Sequence, residues 1–422
     1  MTQGKGEALG IAEGAKRAEG EAGNSPSLSY MEAFANPTLG RRLLSAIARE
    51  AATQRDYYLM EFCGGHTHAL CKHGLLPLLP PNLHMVHGPG CPVCVLPAGR
   101  IQQALALLEA REVVLCSFGD MLRVPGSRGH SLLSARAQGA DVRMVLGPTQ
   151  ALKLAQALPQ REVVFFAVGF ETTTPPTALA LRQAKHMGLK NFSVLCNHVL
   201  TPPAMRGIWE AFRGAEGARL DAMVAPGHVT TVIGYKAFEE IAEAFGVPTC
   251  VAGFEPLDLL NAIYALVCQL NRGQARLENG FARAATREGN LHAQQLMREV
   301  FEVCAGFEWR GLGHLPHSAL RIAPPYAAWD AQAKWQLPCP PIADHPACCC
   351  AKVLLGQKTP PQCPLFAKAC TPASPLGACM VSPEGACSAY YGYAQGLPLA
   401  APGEAATAAT FSSLKGERGE VE

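Results

Sequence analysis

Several features that would settle a function at once are missing from this chain. There is no Gly-x-x-x-x-Gly-Lys-Ser/Thr loop, no strand running into Gly-x-Gly-x-x-Gly and no Gly-x-Ser-x-Gly, so nucleotide sites and serine-hydrolase sites of those kinds find no support. No long basic block is present, and a net charge of +2 gives no electrostatic reason to expect nucleic acid or an anionic membrane as partner. Neither a signal-peptide core nor an apolar run long enough to span a bilayer can be found. A cytoplasmic protein is expected.

Sulfur is what the chain has in quantity, with seventeen cysteines in 422 residues. In a small secreted domain that density would mean disulfides. Here 49% hydrophobic and 17% charged residues describe a packed globular protein of two or three domains. In a reducing cytoplasm the cysteines of such a protein are more often metal ligands or catalytic thiols.

Apolar periodicity predicts an α/β fold. Leu39, Leu43, Leu44, Ile47 and Ala48 make one helical face between Pro37 and about residue 52. From residue 101 a helix-then-strand rhythm begins, with buried parallel strands expected over 111–118, 142–146, 163–168, 192–196, 220–225 and 249–252. The stretch 256–307 reads as mainly helical. Two α/β domains with mostly parallel sheets flanked by helices are expected, over 30–147 and 148–307, followed by a small cysteine-rich module over 308–396. Residues 1–29, rich in Gly, Ala, Glu and Ser, are expected to be a disordered extension and 397–422 a disordered tail.

Four places carry candidate chemistry. In Phe62-Cys63-Gly64-Gly65-His66-Thr67-His68 the paired glycines allow a sharp turn and close ligand approach beside a thiol and two imidazoles; a strand end with a glycine turn explains the same residues. Gly88-Pro89-Gly90-Cys91-Pro92-Val93-Cys94 holds a Cys-x-x-Cys in a stiff frame, and such a pair either shares a metal or closes into a disulfide. Loops after later strands place Glu171, Thr172, His198, His228 and Glu255 at the carboxyl ends of parallel strands, where open sheets bind ligands, while the Thr-Thr-Thr and Pro-Pro residues of these loops are better read as helix caps and first-turn prolines. Cys348, Cys349, Cys350, Cys363, Cys370, Cys379 and Cys387 then follow among prolines and glycines with little apolar mass, so this segment needs cross-links or a metal centre to fold. His345 is the one histidine between Cys339 and Cys387, which favours all-thiolate ligation, and the wide cysteine spacing favours an iron–sulfur cluster over zinc.

These motifs, together with Gly169-Phe170-Glu171-Thr172-Thr173-Thr174-Pro175-Pro176, Asn197-His198…Thr201-Pro202-Pro203-Ala204-Met205 and Gly377-Ala378-Cys379-Met380-Val381-Ser382-Pro383-Glu384-Gly385-Ala386-Cys387, resemble the HypD family of hydrogenase-maturation proteins over about residues 30–395. The resemblance implies a redox-active scaffold on which an iron carrying two cyanides and one carbon monoxide is assembled for [NiFe] hydrogenases. It implies a HypC-type chaperone as partner and HypE, with HypF, as cyanide donor. It implies Cys63, Cys91 and Cys94 at the iron site with His66 beside them, and a [4Fe–4S] cluster on Cys348, Cys363, Cys370 and Cys387. Cys350 and Cys379 are then a second dithiol beside the cluster, passing electrons to Cys91 and Cys94. Cys349 is extra to the family's Cys-x-Cys-Gly opening and Ala351 stands in place of its glycine, which leaves Cys348 and Cys349 as alternative ligands. Two rival classes are a cluster-dependent protein disulfide reductase of ferredoxin–thioredoxin reductase type and a zinc-stapled binding module without redox chemistry.

Overall fold

The structure, a computed structural model, describes residues 34–110, 112–213 and 219–394. The expected extension 1–29 and tail 397–422 lie outside the described residues. In chain order the main strands are β1 (Tyr57–Glu61), β2 (Leu83–His87), β3 (Val113–Ser117), β4 (Val142–Met144), β5 (Glu162–Gly169), β6 (Phe192–His198), β7 (Ala222–Pro226), β8 (Thr249–Ala252) and β9 (Leu277–Asn279). They form two all-parallel sheets, ordered β2-β1-β7-β8-β9 and β4-β3-β5-β6. In β5 every residue from Val163 to Gly169 is buried, as a parallel strand covered on both faces requires.

The α/β class with parallel sheets is as expected, but the sheets divide the chain differently. Sheet one takes β1 and β2, the chain leaves to build all of sheet two, and it returns at β7 to pair with β1 through Leu59↔Ala222, Met60↔Met223 and Glu61↔Val224. The boundary expected at 147/148 therefore falls inside sheet two, between β4 and β5. Sequence distance does not reveal that a strand has been saved for a later partner. The boundary at 307/308 likewise cuts a strand, β11 (Gly306–Trp309), which pairs with β12 (Gly313–Pro316). The stretch 256–307 is less helical than expected: after the helix Pro256–Asn271 come β9, the helix Leu291–Val300 and β10 (Phe301–Val303), which pairs with β13 (Leu320–Ile322).

The helix Pro37–Glu50 starts where Asn36 accepts hydrogen bonds from the N–H groups of Thr38 and Leu39 at 2.9 and 3.2 Å, with Pro37 in the first turn, a cap that contributes about 1 kcal/mol. Its buried face, Leu43, Ala46 and Ile47, packs on the helix Pro256–Asn271. Between the two sheets lies a central core in which Met60, Phe166, Leu195 and Met223 are joined by Cys91, Cys94, Cys350, Cys379 and Cys387. The cysteine-rich segment is thus an integral part of the core. Among the described residues no helix is long and apolar enough to cross a membrane.

Candidate functional site

The carboxyl end of β1 delivers Cys63, which caps the helix Gly64–Lys72 and donates its backbone N–H to Glu61 Oε2 at 2.9 Å. The loop carrying Cys91 lies directly on it. Gly64 N–H donates to the Gly90 carbonyl at 3.1 Å and Gly88 N–H to the Glu61 carbonyl at 2.9 Å. A Cβ on Gly90 would stand 2.4 Å from the Cys63 nitrogen, and one on Gly88 2.7 Å from the Glu61 oxygen. Contact, not backbone conformation, demands these glycines, and it brings the two cysteine loops into one layer. Gly64 and Gly65, expected to admit a ligand, admit protein instead: their absent Cβ atoms make room for the Glu384 carbonyl and the Phe254 ring.

Cys91 and Cys94, on either side of the turn that begins the short helix Pro92–Val95, are joined in a disulfide with Cα atoms 5.2 Å apart. Neither sulfur is free to bind a metal in this state. The Cys63 thiol is free, and burial, reinforced by the charges of Glu384 and Glu61, pushes its pKa far above the usual thiol range. His66 is fully buried, donates from Nε2 to the Ala252 carbonyl at 3.1 Å and stacks on Phe254, which stacks in turn on His228. Burial lowers its pKa, so the ring is neutral.

Behind Cys63 runs a buried hydrogen-bonded line. Glu61 Oε1 accepts from Thr67 Oγ1 and from His87 Nδ1, the latter at 2.9 Å, and His87 Nε2 meets Tyr390 Oη at 2.8 Å. Burial pushes the Tyr390 phenol far above its usual range, so its proton stays on the oxygen of this hydrogen bond. Tyr390 belongs to the helix Ala386–Tyr393, which also carries Cys387.

The terminal cysteines converge. Cys348, Cys350, Cys363, Cys370, Cys379 and Cys387 line one small pocket closed by Phe366, Gly377 and Met380. Cys349 is not among the lining residues. Gly377 lies so close that a Cβ there would stand 2.5 Å from Cys348 Sγ. Cys350 Sγ and Cys379 Sγ are 2.6 Å apart, and their hydrogen bond together with burial holds the Cys350 thiol well above its usual pKa. Burial pushes Cys348 up to about 12. Among the described residues, no three Cys, His, Asp or Glu side chains are grouped to hold a single metal ion. The helix Pro92–Val95 packs against both the helix Cys350–Leu354 and the turn Ala378–Met380. The two sulfur pairs thus lie on packed elements of one core.

Comparison with known proteins decides the family. The model described as HypD, hydrogenase formation hypA family, matches residues 38–394. The chain belongs to the HypD family. It is 53% identical over 367 residues to the hydrogenase maturation factor HypD of Azotobacter vinelandii, an alignment covering 87% of this chain and 97% of the relative. It is 51% identical to the HypD of Cupriavidus necator over 89% of this chain and 100% of that one, and 45% identical to the HypD of Escherichia coli over 87% and 99%.

Other residues flagged in sequence serve HypD architecture. Glu171 accepts from the Thr201 N–H and hydroxyl, both at 2.8 Å, and burial raises its pKa to about 7. His198 is buried against Phe301 and bonds Thr177 at 3.0 Å. Glu255 caps the helix Pro256–Asn271. Sequence reasoning missed Glu61, His87, Tyr390, Gly377 and Arg310. The first two abut cysteine motifs, which was a usable signal; Arg310 offers none.

Proposed function

We propose that this chain acts in hydrogenase maturation as a thiol-controlled scaffold for an iron that receives cyanide and carbon monoxide. Cys63, with Cys91 and Cys94 once reduced, holds the iron as cargo, with neutral His66 shaping the same turn. The observation that carries this reading is the packing of the Cys91–Cys94 helix against the segments bearing Cys350 and Cys379, which gives the iron-holding pair a redox partner inside the core. A disulfide cannot ligate iron, so reduction is the gate to loading. Soft thiolates suit low-spin Fe(II), and the buried surroundings keep water from displacing its ligands.

The pocket of six sulfurs fits a [4Fe–4S] cluster on Cys348, Cys363, Cys370 and Cys387. Such a cluster is bulkier than a single ion and takes its ligands from around it, as the converging thiols of this pocket offer. A bound cluster supplies one-electron transfer beside Cys350 and Cys379. Cys348 is the fourth ligand in preference to Cys349 because only Cys348 lines the pocket. Cytoplasmic residence would keep the thiols reducible. A HypC-type chaperone takes the loaded iron onward, and HypE with HypF brings the cyanide. The relatives' shared name, hydrogenase maturation factor, gives the disulfide-reductase alternative no support.

Anaerobic preparation tests the reading. A brown protein with about four cluster irons per chain, plus further iron with cyanide and carbon monoxide infrared bands, is expected. Cys350→Ala with Cys379→Ala should leave Cys91–Cys94 oxidised and weaken those bands. A colourless protein, or unchanged reduction and loading in the double variant, would overturn it.

A further inference from the structure

Arg310 follows β11 and is only 5% exposed. Its backbone N–H donates to the Val95 carbonyl at 2.7 Å, and its Nε and Nη2 donate to the Leu96 carbonyl at 3.1 and 2.8 Å. Nη1 pairs with the Asp344 carboxylate. Val95 and Leu96 come directly after Cys94, and Asp344 lies just ahead of Cys348. The next residue, Gly311, has φ +83°, and a Cβ on it would stand 2.9 Å from Ala351 Cα, so this turn also presses on the helix that begins at Cys350. One buried side chain and its turn thus touch the Cys94 loop, the approach to Cys348 and the Cys350 helix.

Burying a guanidinium costs several kcal/mol unless its hydrogen bonds and charge are matched. Two carbonyl bonds and one partly exposed carboxylate are a modest return for a mere staple.

We propose that Arg310 is the positioning residue for thiol–disulfide exchange between Cys91–Cys94 and Cys350/Cys379, its guanidinium tying the Cys94 loop to the approach to Cys348 while the turn that carries it abuts the Cys350 helix. This rests on the relay reading above. In the exchange a sulfur of the reduced Cys350/Cys379 pair, giving up its proton, bonds to one sulfur of Cys91–Cys94, whose S–S bond breaks. The second sulfur of the reduced pair then closes on the first and releases the other. One disulfide is broken and one made, and two electrons and two protons pass from Cys350/Cys379 to Cys91/Cys94.

The test uses the full chain carrying Cys91→Ser and Cys350→Ser, which leaves Cys94 and Cys379 to be trapped as a mixed disulfide by oxidised glutathione and mapped by peptide mass spectrometry. With Arg310 in place the cross-link should form. Arg310→Gln should slow it about tenfold, since misplacing reacting groups by an ångström costs at least that, while Arg310→Lys restores part of the rate. An unchanged rate in a cooperatively melting Arg310→Gln protein overturns the role of Arg310 and leaves the relay standing. No cross-link in the parent overturns both. Should Arg310→Gln fail to fold, Asp344→Asn decides: it keeps both Leu96 hydrogen bonds but frees one arm of the fork, and should slow the cross-link about threefold. An unchanged rate there overturns the proposal.

Discussion

Gly377→Ala isolates the pocket of six sulfurs from everything else the chain does. Gly377 sits at φ −132° and ψ 150°, an extended backbone that alanine adopts freely, so the substitution acts only through its methyl group. That methyl would lie 2.5 Å from Cys348 Sγ and 3.6 Å from Cys350 Cβ. Relief requires Cys348 to retreat by about 1 Å, a shift that overpacked cores accept at a cost of about 1–3 kcal/mol. Because each 1.4 kcal/mol is tenfold in affinity, iron in the cluster pocket should bind about tenfold or more weakly, with the sulfur displaced from its place in the ligand set. The assay is iron per chain and thiolate-to-iron absorbance after anaerobic reconstitution, with thermal melting of the iron-free protein alongside. Gly392→Ala is the control: it lies in the helix Ala386–Tyr393, a Cβ there meets nothing within 4 Å, and it should stabilise by up to about 1 kcal/mol with iron unchanged. Full iron content in Gly377→Ala would refute the assignment of Cys348 to the pocket.

Three further substitutions probe other parts of the site. Gly90→Ala drives a methyl into the Cys63 backbone, which cannot yield as a side chain can; expected are a loss of about 3 kcal/mol in unfolding stability and faster alkylation of Cys63 as its loop is pushed off the Cys91 loop. Glu171 has a folded pKa of about 7 against an ordinary 4.5, so between those values the folded chain holds a proton that the unfolded chain has lost, and stability falls as pH rises through that window, by up to about 3 kcal/mol. In Glu171→Gln the amide keeps both Thr201 contacts without titrating, and denaturant unfolding at pH 5 and pH 8 should show the variant losing less stability than the wild type over that interval. Tyr390→Phe leaves His87 Nε2 buried without its hydrogen-bond partner, and should cost about 1–3 kcal/mol in unfolding stability and quicken Cys63 alkylation; an unchanged rate would uncouple the line from Cys63.

The elements most legible in sequence are those whose side chains answer only to local rules. Val163–Val168 announces itself because a strand covered on both faces is apolar throughout, and Pro37–Glu50 because an amphipathic helix keeps its period. β2 hides because His84 and His87 interrupt its apolar run, and His87 is in the strand for the sake of Glu61 and Tyr390. Sheet one hides for another reason: no local signal marks β1 as the neighbour of β7. The cysteines were legible as a group, since sulfur at that density in proline-rich chain needs an explanation. Their partition was not. That Cys348 and not Cys349 lines the pocket depends on the turn that enters the helix Cys350–Leu354, and that turn is set by tertiary packing.

The same packing explains why the Cys63 loop and the cysteine-rich segment must form together. The Glu384 carbonyl fills the space beside Gly64, His68 Nδ1 meets the Pro383 carbonyl at 3.3 Å, and Tyr390 reaches His87. From sheet two, Arg123 donates to the Val381 carbonyl at 2.6 Å. All four contacts fall on residues 381–390, the stretch that carries Cys387, so one short segment closes the Cys63 turn with one face and contributes a sulfur to the pocket with another.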